Sequence, residues 1–349
     1  WDRLAETDEV EAVRARHLDF FLALTGPGQP AWLARLGEEH DNLRAALEAG
    51  RDADVERRLR LVLALERFWS IRGHLGEGRE WAEDALAAST GLGATATRAR
   101  AIDAAARLAL HQDDAARGRV WLEASLAIWR DVGDRAGEQA CLANLGVAAS
   151  KLGDWPAARA WFEESLALAR ELGHQRAIAL LLDNLGVMAT YLDDPEAAFG
   201  QLEEALATMR QLGDPVRVAN SLANLGMLAL YRGRVEEACE RYAESLGVLE
   251  TVDAPVCLAE CLEGFACVAA LRGRPGPALR LAGAAAGIRE AIGTPQPPWS
   301  RRLEEEWLAA ARRAAGAGVA ARTWEEGRRL PASRLVPLAL EELEPTTGR

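Results

Sequence analysis

The sequence is nearly free of lysine and poor in cysteine. Lys151 is the single lysine, so 40 of the 41 basic residues are arginine. The five cysteines are an odd number and no two have C-x-x-C spacing, which argues against a disulfide framework and for a reducing compartment. We therefore expect a cytoplasmic protein in which Cys257, Cys261 and Cys267 are small buried apolar residues.

Long apolar runs are also absent. No stretch approaches the roughly 18 apolar residues of a membrane span, and the first residues, WDRLAETDEV, do not have the pattern of a signal peptide. The net charge of -12 argues against a nucleic-acid backbone or an anionic membrane as partner. The chain starts with Trp1 instead of methionine, so we expect it to be a piece of a longer protein.

The motifs of common catalytic and metal sites are missing as well. The sequence contains no Gly-Lys-Ser/Thr phosphate-binding motif and no G-x-S-x-G elbow. The five histidines form no H-E-x-x-H pair, and none stands near a cysteine at metal-ligand spacing. We expect no catalytic residue, no cofactor and no metal, and hence no enzyme.

What is present is an internal repeat. The triplet Asn-Leu-Gly begins at Asn144, Asn184 and Asn224, a constant spacing of forty residues. The same register predicts helix-ending residues at Gly93, Gly133, Gly173, Gly213, Asp253 and Gly293. It predicts turns at Gly73, Asp113, Gly153, Asp193, Gly233 and Gly273. Glycine supplies the positive φ that ends a helix, and the adjacent aspartates Asp134, Asp154 and Asp214 are predicted helix caps.

Each unit contains two apolar patterns of helical period separated by a turn, which predicts a helical hairpin. One hairpin cannot bury its own apolar face, so neighbouring hairpins must stack. Small residues at 106, 146, 186, 226 and 266 are expected to let the two helices of a hairpin approach closely. The predicted units are 58–97, 98–137, 138–177, 178–217, 218–257 and 258–294.

Helical caps are predicted on both sides of this repeat array, which spans 58–294. The N-terminal cap, 1–57, is expected to contain helices over 4–24 and 30–49, separated by the breaker GPGQP. The C-terminal cap, 295–349, is expected to contain three more helices.

These motifs resemble the tetratricopeptide repeat. The third unit has Asn-Leu-Gly in its first helix, Gly-Asp at the turn, and Ala158, Phe162 and Leu166 in its second helix. The resemblance implies an all-α fold, a right-handed superhelical array of about six helical hairpins.

The flanks carry a second resemblance. The strings RARHLDFFLAL, WLARLGEEHDNLRAALEAG and RFWSIRGHLGEGREWAEDAL, with Trp-Glu-Glu-Gly-Arg at 324–328, are similar to the C-terminal region of bacterial signal-transduction ATPases of the STAND class. Such regulators are found in actinobacteria, often fused to a LuxR-type DNA-binding domain. The resemblance implies a sensor or autoinhibitory arm, with the ATPase domain upstream of Trp1.

In tetratricopeptide arrays the first helices line the concave face, and helical periodicity projects the residues exposed there. The predicted partner-binding residues are Arg60, Arg67, Arg100, Asp103, Arg107, His111, Asn144, Lys151, Asp183, Asn184, Tyr191, Asn220, Asn224 and Tyr231. Glu260 and Glu263 follow in the last unit, so the projected groove is arginine-rich first and acidic last. Structural alternatives stay open: the arginines pair with neighbouring carboxylates, the asparagines cross-link helices, and the tyrosines pack.

The sequence thus predicts a non-catalytic domain that binds a peptide or protein in its groove. Arginine favours a partner with an acidic segment, and the chain's own missing N-terminal domains are a second candidate partner. Two other functions are kept as alternatives, a small-molecule receptor and a structural homodimerisation scaffold.

Overall fold

A computed structural model describes residues 16, 19, 20, 32–49, 55–252, 254–294, 296, 298–331 and 334–341. The chain divides into two compact units, Trp1–Gly173 and His174–Arg349. The described residues of each unit form α-helices joined by short turns, and no strand occurs among them. The predicted fold class, an all-α array of tetratricopeptide-like hairpins, is confirmed. None of the described helices combines the length and apolarity that crossing a membrane requires.

The first unit consists of two short helices followed by three hairpins. The helix predicted over 30–49 is interrupted at Glu39, and the one predicted over 4–24 lies outside the described residues except for the helical positions 16, 19 and 20. The helices are α1 (Trp32–Glu38), α2 (His40–Ala49), α3 (Val55–Arg72), α4 (Leu75–Ala88), α5 (Ala96–His111), α6 (Ala115–Val132), α7 (Arg135–Lys151) and α8 (Trp155–Glu171). A short 3-10 helix, Ser89–Leu92, follows α4.

The second unit also contains three hairpins, followed by three helices that pack against α13 and α14. Its helices are α9 (Gln175–Tyr191), α10 (Pro195–Leu212), α11 (Pro215–Tyr231), α12 (Val235–Leu249), α13 (Pro255–Leu271), α14 (Pro275–Ile292), α15 (Pro298–Ala315), α16 (Ala317–Arg328) and α17 (Leu335–Glu341). The three helices expected after residue 295 are therefore present. The exact limits proposed for the caps and repeat units stay predictions.

The turns follow the forty-residue register. Every predicted helix-ending or turn residue that the structure describes has a positive φ, and Asp253 lies outside the described residues. Asp113 and Asp193 adopt φ values of 63° and 58°, because aspartate tolerates the left-handed region better than most residues with a side chain. The predicted caps Asp134, Asp154 and Asp214 each accept a backbone N–H of the helix that follows.

Small residues allow the hairpins to close as predicted. A Cβ added at Gly146 would lie 2.4 Å from the ring of Phe162, and one at Gly186 would lie 2.6 Å from Leu202. The second helix of each hairpin therefore fills the space that the glycine leaves. Packing this tight leaves no room for a larger side chain at Gly146 or Gly186.

Candidate partner-binding surface

The predicted partner-binding residues lie on the first helix of each hairpin, which is α3, α5 or α7 in the first unit and α9 or α11 in the second. Within each unit successive first helices contact each other, as do α11 and α13. We call the face that these helices share within each unit the first-helix surface of that unit. Arg60 and Arg67 lie on α3, four residues from Arg100 to His111 on α5, Asn144 and Lys151 on α7, Asp183, Asn184 and Tyr191 on α9, and Asn220, Asn224 and Tyr231 on α11. That they bind a partner stays a prediction.

In the first unit, Arg107 is held by a carboxylate of the preceding hairpin. Its Nε and Nη2 atoms donate to the two carboxylate oxygens of Glu66 at 3.0 and 2.9 Å, a two-point ion pair between α5 and α3. Arg107 therefore pairs with a neighbouring carboxylate, which is the structural alternative to partner binding that the sequence left open. The sequence contains a signal for this pair, since Glu66 replaces the glycine that later units have at Gly146 and Gly186.

Asp103 accepts a hydrogen bond from within its own hairpin. Trp129 Nε1 donates to Oδ2 of Asp103 at 2.9 Å, and the guanidinium of Arg100 lies 6.0 Å from the centre of the Trp129 ring. Asp103 is buried, and its Oδ1 atom has no hydrogen-bond partner in the described part of the chain. Burial raises the pKa of Asp103, against the hydrogen bond from Trp129, which lowers it.

The other cations of the first unit are partly neutralised. Arg60 pairs with Glu56 at 3.2 Å, and Lys151 pairs with Asp113 at 3.1 Å. Arg67 is exposed and, among the residues described, makes no ion pair. His111 is exposed and Asn144 is half-buried. The arginine-rich part of the projected groove thus carries less uncompensated positive charge than its composition suggests.

In the second unit, Asp183 and Asn224 are brought together. Asn224 Nδ2 on α11 donates to Oδ2 of Asp183 on α9 at 2.8 Å. Asp183 is 8% exposed, and no group in the described residues donates to its Oδ1 atom. Burial raises the pKa of Asp183 to about 6, although the neighbouring hydroxyl of Ser221, the positive charge of Arg217 and the bond from Asn224 oppose the shift.

The neighbouring helix α13 adds a second carboxylate. Cys257 Sγ donates to Oδ1 of Asn220 at 2.8 Å, which links α13 to α11, and Glu260 follows Cys257 by one helical turn. Burial raises the pKa of Glu260 to about 7, and the negative charges of Glu263 and Asp183 add to the shift. Glu263, in contrast, accepts from Arg289 Nη2 at 3.0 Å.

The two predicted tyrosines pack against aromatic neighbours. The rings of Tyr191 and Tyr231 meet edge to face with centroids 5.6 Å apart, and Tyr231 meets Trp307 of α15 in the same way at 6.0 Å. The Tyr191 hydroxyl also donates to Met227 Sδ at 3.3 Å. Both tyrosines are half-buried, so they form an aromatic row at the end of the first-helix surface of the second unit.

One group of residues outside this surface has potential metal ligands close together. The ligand atoms of His40, His74 and Glu77 lie within 4.8 Å of one another. His40 Nε2 lies 3.0 Å from Glu77 Oε1, and Arg44 donates to both oxygens of Glu77 at 2.8 and 2.7 Å. The guanidinium already neutralises the only anionic ligand and would repel a divalent cation.

Family models and solved structures agree with this architecture. One tetratricopeptide-repeat model matches residues 97–171 and 138–211, and a second matches residues 218–252. The chain contains a tetratricopeptide-repeat region. The matched residues span α5 to α12, which carry all of the predicted site residues except Arg60 and Arg67.

Three solved structures illustrate the shared fold. The apo form of the quorum sensor NprR from B. thuringiensis aligns with a TM-score of 0.64 and 12% identity, over 98% of this chain and 91% of that chain. NprR in complex with its cognate peptide NprX aligns with a TM-score of 0.56 and 15% identity, over 96% of each chain. A Rap protein complexed with Competence and Sporulation Factor aligns with a TM-score of 0.59 and 12% identity, over 95% of this chain and 99% of that chain.

These identities establish a common fold and leave the ligands of this chain open. No curated protein sequence matches the chain. The sequence did not assign Trp129 and Cys257 to this surface, because each acts as the partner of a predicted site residue and lies on a neighbouring element.

Proposed function

We propose that the chain is a non-catalytic domain that binds a peptide or protein partner on its first-helix surface. The observation that carries this proposal is that a first helix in each unit has unused hydrogen-bonding groups. The side chains of Asn144 and Asn184 are half-buried and make no hydrogen bond within the described residues, and Oδ1 of Asp183 is likewise unpaired. Because partly buried amides normally find partners, these groups are suited to the backbone of a bound peptide.

The shared fold supports this proposal. The NprR fold has been solved with its cognate peptide, and a Rap protein has been solved with Competence and Sporulation Factor. The exposed Arg67 and the stacked Arg100 provide positive charge on the first unit, which suits an acidic segment of the partner.

We also propose a regulatory setting. The flanking strings resemble STAND-class regulators, so the chain would serve as the sensor or restraining arm of a bacterial cytoplasmic transcriptional or signalling regulator. Its partner would then include the ATPase domain expected upstream of Trp1. A phosphate-binding Gly-Lys-Ser/Thr motif in the reading frame before Trp1 would support this setting, and a frame without an ATPase domain would refute it.

Affinity selection of the full chain against a random library of N-acetylated six-residue peptides tests the binding function. We expect defined sequences to be enriched. Asn144→Ala combined with Asn184→Ala should weaken the enriched peptides about tenfold, since each substitution removes hydrogen bonds to the peptide. Gln211→Ala, an exposed change on the second helix α10, is the matched control and should leave binding unchanged.

Four outcomes would overturn the proposal. Retention of no peptide would contradict it, and so would equal binding by the double variant. Selective stabilisation by a small effector would favour the receptor alternative, and concentration-dependent dimers without peptide binding would favour the scaffold.

A further inference from the structure

Two carboxylates on the first-helix surface of the second unit form no ion pair among the residues described. Asp183 on α9 has one bonded and one unpaired oxygen, and it is more than nine-tenths buried. Glu260 on α13 is half-buried and, in the described part of the chain, has no hydrogen bond or ion pair. Buried carboxylates are ordinarily paired, so the unpaired oxygen of Asp183, whose negative charge also acts on Glu260, requires an explanation.

The helix between them connects the two carboxylates. On α11, Asn224 donates to Asp183, and Asn220, one turn earlier, accepts from Cys257 of α13. Cys257 lies one turn before Glu260 on the same helix face. We call the group of Asp183, Asn220, Asn224 and Glu260, which lie on three neighbouring helices, the recess.

The recess is rich in hydrogen-bond acceptors. The carboxylate oxygens of Asp183 and Glu260 only accept hydrogen bonds when ionised, and the Oδ1 atom of Asn224 is a further acceptor. A guanidinium carries five N–H donors and an ammonium three, each with a positive charge. The chemistry of the recess is therefore complementary to an organic cation.

Neighbouring cations do not already fulfil this role. Arg289 of α14 is held by Glu263, and the exposed Arg217 of α11 acts on Asp183 only through its charge. Besides the two carboxylates themselves, the titratable and charged groups that interact with them are Arg217, Arg289, Glu263, Tyr191, Tyr242, Cys257 and Cys261. Burial outweighs the arginines, so the pKa values of Asp183 and Glu260 rise to about 6 and about 7.

We propose that the recess of Asp183, Asn220, Asn224 and Glu260 binds a positively charged group of the partner peptide, the guanidinium or ammonium of an arginine or lysine side chain. This inference rests on the proposed function and specifies what the second unit recognises. The first unit would accept acidic residues of the partner, and the second unit would select a basic one.

Positional libraries of N-acetylated, C-amidated peptides test the inference on the full chain. One position is fixed as arginine, lysine, glutamine or glutamate, and the other positions are random. We expect arginine or lysine at one position to bind about tenfold more tightly than glutamine there, as expected for a partly desolvated charge pair, and glutamate to bind worst. N-acetylation removes the free terminal amine of the peptide. If that amine were the bound cation, acetylated peptides would show no preference, so a preference among acetylated peptides assigns the cation to the side chain.

Substitutions test whether the carboxylates of the recess cause the preference for a basic residue. Asp183→Asn with Glu260→Gln should remove the preference for a basic residue, measured as the ratio of the affinities for arginine-fixed and glutamine-fixed peptides. Asp103→Asn, at the equivalent position of the first unit, is the control and should keep the preference. Circular dichroism and thermal unfolding show whether each variant is folded.

The outcomes separate the two proposals. Peptides that bind with no preference for a basic residue would refute the cation recess and leave the partner-binding function standing. A preference that persists in the double variant would place the cation elsewhere and also refute it. Failure of every library to bind would refute both.

Discussion

Asp103 in the first unit and Asp183 in the second stand at the same register position, two repeats apart, and both are buried. Asp103 accepts the indole N–H of Trp129 within its own hairpin, whereas Met209 occupies the position equivalent to Trp129 near Asp183. Asp183 instead reaches the next hairpin through Asn224. The repeat therefore fixes where an acid stands, and a single neighbouring residue decides whether it binds within its hairpin or across the first-helix surface.

The same contrast holds for the acids that are partly buried. Glu66 joins α3 to α5 through a two-point ion pair with Arg107, while Glu260 has no ion pair in the described residues. Glu66 thus connects two hairpins, whereas Glu260 forms no such link in the part of the chain that the structure describes. Sites that bind ligands commonly keep such unfavourable groups at a cost in stability.

Removing both unpaired acids should give the largest change. The pKa values of Asp183 and Glu260 are raised in the folded state, to about 6 and about 7, so between about pH 4 and pH 7 the folded chain binds more protons than the unfolded chain. Stability should therefore fall as the pH rises through this window. Asp183→Asn with Glu260→Gln should raise the free energy of unfolding by about 3 kcal/mol at pH 8 and change it little at pH 4.

Urea unfolding at both pH values measures this difference. Asp103→Asn should raise the free energy of unfolding at pH 8 by less than the double variant does, since Trp129 stabilises the ionised form of Asp103. Loss of stability in the double variant at pH 8 would show that the two acids are satisfied in the folded chain.

The next largest effect is expected at the ion pair of the first unit. Arg107→Met leaves Glu66 partly buried without its cation and should lower the free energy of unfolding by about 2 kcal/mol. Adding Glu66→Gln should restore part of the loss. Arg60→Met, which breaks the more exposed pair with Glu56, is the control and should cost less than about 0.5 kcal/mol. Equal effects in the two single variants would mean that the pair between α3 and α5 is no stronger than a surface pair.

Trp129→Phe tests the hydrogen bond within the hairpin. Phenylalanine keeps an aromatic ring but has no N–H, so Asp103 loses its donor and stability should fall by about 1–2 kcal/mol. The penalty should shrink when Asp103→Asn is added, because the buried negative charge is then gone. A penalty that is the same with and without Asp103→Asn would assign it to packing alone.

Arg67→Glu should have the smallest effect on folding. The side chain is exposed, so stability should change by less than about 0.5 kcal/mol. Peptides with an acidic segment should nevertheless bind several-fold more weakly, whereas Arg170→Glu on the second helix α8 should leave them unaffected. Unaltered binding by Arg67→Glu would remove the arginine end from the proposed surface.

The sequence predicted the architecture because the residues that end helices and form turns recur every forty positions. The triplets at Asn144, Asn184 and Asn224 set the register, and residues such as Asp113 and Asp193 adopt the left-handed turn conformation that the register requires. Each of these signals is local, so it survives without knowledge of the three-dimensional neighbours.

Which charged side chains are paired, and with which partners, could not be predicted in the same way. Periodicity placed Arg107, Asp103 and Asp183 on the first helices, but their partners lie 41, 26 and 41 residues away on other helices. Whether a side chain is paired depends on burial and on these distant neighbours. Composition therefore suggested a basic binding end, while the structure leaves its uncompensated buried charges at the acidic end.

Proton release on binding tests the central claim most directly. Calorimetric titration of an arginine-fixed peptide at pH 6.5, repeated in buffers of different ionisation enthalpy, gives the number of protons released. A cation in the recess should lower the pKa values of Asp183 and Glu260, so the chain should release protons, and the double variant Asp183→Asn with Glu260→Gln should release none. Peptide binding without proton release, or with equal release by the double variant, would contradict the account.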